Sequence, residues 1–110
     1  MAIFKLEKND WHAYFERIAK VLMGKSAELE VDALSIGSQL QARWAPLMGI
    51  VYDPRSDILA VMLEGLDHMI RHPQTIFVDM QGDVLNSLDV NDADNFRHII
   101  KLRDPLPLPP

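Results

Sequence analysis

Residues Pro46–Asp79 read PLMGIVYDPRSDILAVMLEGLDHMIRHPQTIFVD, and the alternation in this stretch decides the fold. Short apolar runs are separated by turn residues at intervals that suit strands. Pro46 has no N–H to give to a ladder and Gly49 weakens one, so a strand running to Tyr52 is expected to bend or bulge there. Asp53-Pro54-Arg55-Ser56 has the Asp and second-position Pro of a type I turn. Ile58 to Leu63 is apolar at every position, the signature of a strand covered on both faces. Glu64-Gly65 turns again. Asp67 to Arg71 reads as a strand or a single helical turn. Pro73 biases His72 toward extended geometry and favours the strand.

On the N-terminal side, Trp11, Tyr14, Phe15, Ile18 and Leu22 recur at helical spacing and form one apolar stripe. Asn9 or Asp10 is placed to cap, Gly24 to end the helix, and Lys20 and Lys25 to complement its dipole. Burying five such side chains contributes about 7–15 kcal/mol before ordering entropy is subtracted, so the helix needs a sheet to pack on. From Glu28 the period falls to two: Leu29, Val31 and Ala33 alternate with Glu28, Glu30 and Asp32. After a turn at Gly37-Ser38, Leu40, Ala42 and Trp44 continue the beat as a hairpin partner. On the C-terminal side, Thr75 to Asp79 and Val84 to Val90 flank the turn Gln81-Gly82-Asp83, and Phe96 to Leu102 makes a last strand after the polar turn Asn91 to Asn95. The fold class is α+β. The expectation is one domain, 1–110, with a helix at about 10–23, a strongly bent antiparallel meander of about six or seven strands at about 28–102, and an extended proline-rich tail at 104–110. Curling of the meander into a small SH3-like or Sm-like barrel, with the helix across one end, is the closed variant; an open sheet is the alternative.

The positions Leu47, Gly49, Tyr52-Asp53-Pro54, Asp57, Glu64-Gly65, Asp67-His68, Ile70, Pro73, Ile76 and Val78, with the closing Pro105-Leu106-Pro107-Leu108-Pro109, carry a resemblance. The chain is similar along most of its length to a family of small bacterial proteins known only as a domain of unknown function. The resemblance implies no activity.

With 110 residues and 48% hydrophobic composition the chain is long enough to bury a core without a staple. It has no cysteine, which excludes disulfides, thiolate metal sites and cysteine nucleophiles. The formal charge of −5 argues against nucleic acid and anionic lipid as partners. No segment has the roughly 18 uncharged apolar residues of a membrane span, and a cytoplasmic location is expected.

Few residue groupings suggest chemistry. His68 and His72, with Asp67 beside them, would share a helix face and a metal, but on a strand they lie roughly 13 Å apart, too far for one ion. Neither a metal nor a cofactor is therefore expected. Trp44, Tyr52 and Asp53 offer aromatic faces and a carboxylate that could line a groove, and with Asp67 and His68 they are the candidate ligand-binding residues. Asp89, Asn91, Asp92 and Asp94 imitate a calcium loop, yet Ala93 falls where a ligand is needed and glycine is missing from the turn. The serines Ser26, Ser35, Ser38, Ser56 and Ser87 lack an elbow motif, and no glycine cluster cradles phosphate, so no catalytic residue is assigned. The leading functional expectation is a non-catalytic interaction or assembly module, a homo-oligomer joined through strand edges or through Ile58–Leu63, with another protein as a compatible partner. The alternatives are an Sm-like RNA binder, which the charge and the missing Sm loops oppose, and a small-ligand pocket resting on Tyr52, Asp67 and His68.

Overall fold

A computed structural model describes residues 2–104 of the chain. The elements in order are β1 (Ala2–Leu6), a 3-10 turn (Lys8–Asp10), α1 (Trp11–Leu22), β2 (Ser26–Ala33), β3 (Gly37–Asp53), β4 (Ile58–Leu63), β5 (Leu66–Arg71), β6 (Pro73–Gln81), β7 (Val84–Asp92) and β8 (Arg97–Arg103). The α+β class therefore holds. The tail Pro105–Pro110, expected to be extended, lies outside the described residues.

The eight strands form one antiparallel sheet in the order β1-β6-β7-β8-β2-β3-β4-β5. β3 is the long member, and it divides its length between two neighbours. Gly37–Pro46 pairs with β2, and Leu47–Asp53 pairs with β4. Register shifts interrupt both ladders, one between Leu47 and Gly49 and others opposite Leu29. Trp44 adopts a positive φ of 52° within this region. Pro46 and Gly49 thus mark the bend the sequence predicts, and the bulges turn β3–β4–β5 back over the rest of the sheet.

Two expectations need correction. A strand, β1, precedes the helix; it pairs with β6 from Ala2↔Met80 to Leu6↔Ile76. The sheet is also open, not closed into a barrel: β1 and β5 are its two ends. Only His72 separates β5 from β6, and its φ is 53°. The clash with the proline ring disfavours the right-handed helical region before Pro73, but His72 escapes it by going left-handed and not by extending. Beyond that sharp corner β6 pairs with β1 and β7, so neither of its edges is left for β5.

The folded-back strands enclose a single apolar core. Leu59, Val61, Leu63 and Ile70 meet Ile76, Leu88, Val90 and Ile100, and α1 contributes Trp11, Phe15 and Leu22. Tyr14 and Ile18 are only partly buried. The indole of Trp11 stands edge-on to Tyr52 at 5.1 Å and donates its N–H to the Leu6 carbonyl at 3.2 Å. Asp10 occupies the N-cap without a side-chain bond, the 3-10 turn leading into the helix in its place. Gly24, at φ 85°, ends the helix as predicted, and its N–H donates to the Leu47 carbonyl, tying the helix exit to the bend in β3.

Candidate functional site

Chemistry-bearing side chains collect around strand β5 and the corner that follows it. β5 runs Leu66-Asp67-His68-Met69-Ile70-Arg71 and alternates strictly. His68 and Ile70 point into the fold, while Asp67, Met69 and Arg71 are exposed on the opposite face.

The inward residue His68 meets His98, a polar side chain buried in the core at 5% exposure. His68 Nε2 lies 2.9 Å from His98 Nδ1, and His98 Nε2 lies 2.9 Å from Asp92 Oδ2. A carboxylate only accepts, so His98 Nε2 carries a hydrogen. One proton then joins the two rings, with one imidazole donating to the other. Burial, and secondarily the neighbouring His98, push the His68 imidazole down to about 4, which leaves it neutral at pH 7. Asp92 is held in turn by its own loop, since Oδ1 accepts from the backbone N–H groups of Asp94 and Phe96. The Asp92–His98–His68 chain is a polar tie between β5 and β8, strands that share no ladder.

A second array occupies the corner. The Tyr52 hydroxyl donates to Asp57 Oδ1 at 2.6 Å, Asp57 Oδ2 faces His72 Nδ1 at 3.2 Å, and the Lys8 ammonium stands 3.7 Å from Asp57 Oδ1. Burial first, then the bond to Asp57, pushes the Tyr52 phenol up to about 12. The same hydroxyl is the largest influence holding the Asp57 carboxyl below the usual carboxylate range. Tyr52 is thus a fixed phenol and Asp57 a fixed carboxylate. They border a cleft of about 530 Å³ with Lys8, Asn9, His12 and Pro54.

The residues singled out from sequence fall in separate places. Tyr52 borders the cleft. The Asp53 carboxylate bonds the Arg55 N–H and the Ser56 hydroxyl within its own turn, and those bonds lower its pKa. Trp44 sits at the β3 bulge beneath the Arg103 guanidinium, 3.8 Å away. Asp67 and His68, adjacent in sequence, point to opposite faces of β5. His72 turns to Asp57 and His68 to His98, so the two imidazoles serve different partners. Among the described residues no group of three or more His, Asp or Glu is placed to hold a metal ion. Sequence reasoning missed Asp57, His72, Asp92 and His98 as partners. Asp57 had a signal in its place at the end of an Asp-Pro turn, but the pairing of His98 with His68 depends on the fold-back at β3 and left no local trace.

Residues 2–110 match a family of unknown function (DUF5335). The chain belongs to this family. It is also 33% identical over 110 residues to an uncharacterized protein of Aquifex aeolicus (strain VF5), covering 99% of each chain. The match spans the helix, all the strands and the proline-rich tail, so the family resemblance seen in the central run extends to the whole chain. No solved structure matches. No helix among the described residues is long and apolar enough to cross a membrane.

Proposed function

We propose that this protein is a non-catalytic assembly module that joins to further copies of itself through the β4–β5 part of the sheet. The observation that carries the reading is the outer face of that part. Leu59, Val61 and Leu63 of β4 are buried by the chain's own core, while Ile58, Ala60 and Met62 on the other face are mostly covered but keep part of their surface accessible. The register aligns Val51, Ala60 and Met69 across three strands, and Val51 and Met69 are 47% and 45% exposed. This apolar row ends at β5, which among the described residues has one neighbouring strand, β4. Its flanking charges, Asp67 and Arg71, are of opposite sign, so a second copy is a complementary occupant.

The other readings have less support. An Sm-like RNA binder rests on a closed small barrel, and this sheet is open. A ligand pocket built from Trp44, Tyr52, Asp53, Asp67 and His68 requires those side chains to converge, and they lie on different faces and turns. Sedimentation velocity at a series of micromolar concentrations tests the assembly reading. A species of at least twice the 12.5 kDa chain mass supports it, and a monomer across the series overturns it.

A further inference from the structure

We infer that two copies join edge to edge through β5, antiparallel about a two-fold axis at Met69, to make one continuous sheet; this rests on the assembly reading above and specifies its interface. The backbone phase of β5 is the starting point. The His72 N–H donates to the Asp57 carbonyl at 2.8 Å, and the ladder continues from Ile58↔Arg71 to Leu63↔Leu66. Hydrogen-bonded pairs alternate in an antiparallel ladder, so His72, Ile70, His68 and Leu66 turn their amides toward β4. Asp67, Met69 and Arg71 turn theirs to the open edge, along which no other strand lies among the described residues.

Side chains then select the register. With the axis at Met69, Asp67 of one copy stands opposite Arg71 of the second, and Arg71 opposite Asp67. Each of the three outward-facing residues meets a residue whose amide also faces the joint, so every opposed pair exchanges two backbone bonds. Centring the axis on Asp67 opposes two acids, and centring it on Arg71 opposes two bases. A slip by one residue brings the core-facing set of one copy against the solvent-facing set of the other. Pro73, with no N–H, bounds the pairing just beyond His72. In this arrangement the Val51–Ala60–Met69 row of one copy runs into the same row of the other. β1, the other end of the sheet, has Lys5 as its only charge and no acid to meet it.

The chain lacks cysteine, so Met69→Cys supplies a unique thiol. Residues opposed in a hydrogen-bonded antiparallel pair have Cα atoms about 5.5 Å apart, inside the range a disulfide spans. Mild oxidation should therefore convert M69C to a covalent dimer, while Val21→Cys, on the exposed side of α1, should stay uncoupled. Arg71→Asp and Asp67→Arg should each weaken association by about tenfold or more, and the double exchange D67R/R71D should restore it. All four positions are exposed, and unchanged melting of the variants will show that the fold survives. A dimeric wild type whose association is indifferent to both charge reversals, with no M69C cross-link, overturns this interface while leaving assembly standing. A monomeric wild type overturns both.

Discussion

Asp57 and His72 face each other across the end of the β4–β5 ladder, both with left-handed backbones, at φ 55° and 53°. They are joined twice, by the His72 N–H to the Asp57 carbonyl at 2.8 Å and by His72 Nδ1 to Asp57 Oδ2 at 3.2 Å. Non-glycine residues at such angles cost of order 1 kcal/mol each, and the surrounding bonds hold them there. Asp57 also accepts from the Tyr52 hydroxyl of a buried ring. Asp57→Ala should therefore destabilise by about 2–3 kcal/mol, and the loss should be non-additive with Tyr52→Phe in a double-mutant cycle. Additive losses in chemical denaturation would show that the two groups are uncoupled.

Acid should weaken the fold through His68. Its imidazole takes a proton near 6.5 when unfolded and near about 4 when folded. Between those values the unfolded chain binds more protons, so stability falls as pH drops through this window and is unaffected above it. The shift is worth roughly 3 kcal/mol, reduced to about 1–2 kcal/mol by the water that reaches this half-buried ring. Asp57, with its carboxyl held low, adds a further loss at still lower pH. His68→Gln should flatten the decline between pH 6.5 and 4 in urea titrations; an unchanged slope would dissociate it from His68.

His98 should be the costlier imidazole to remove. His98→Ala strips the nearly buried Asp92 carboxylate of its side-chain partner and opens a hole beside Val31 and Val90, its register neighbours. The expected loss is about 3–5 kcal/mol, against a smaller one for His68→Ala. Equal denaturation midpoints for the two variants would contradict the polar tie between β5 and β8.

Phe15, fully buried on α1, tests the helix packing. Phe15→Ala should cost about 3–5 kcal/mol. A melting temperature that barely moves would contradict it.

Much of this architecture was legible because its signals are local. The Trp11–Leu22 stripe, the Pro46 and Gly49 bend, the Asp53-Pro54 turn and the alternation of β2 each occupy a few consecutive residues. β1 escaped notice because Ile3, Phe4 and Leu6 are too short a run to define a period, and its pairing to β6 spans most of the chain. The barrel expectation failed because β1, itself unforeseen, takes the edge of β6 that closure onto β5 would have used, so β6 is paired on both sides. The candidate sites were less legible still. His68 meets His98 only because β3 folds the sheet over, and Tyr52 finds Asp57 rather than its neighbour Asp53 because the latter satisfies its own turn.

The most direct test of assembly through β5 is residue-resolved amide hydrogen exchange of the wild type as a function of protein concentration. Among the described residues of one chain the amides of Asp67, Met69 and Arg71 have no strand to bond, whereas those of His68 and Ile70 are held by β4. Pairing of two β5 edges predicts that Asp67, Met69 and Arg71 become protected together at high concentration and lose that protection on dilution, while His68 and Ile70 stay protected throughout. Fast exchange of Asp67, Met69 and Arg71 at every concentration would contradict the account.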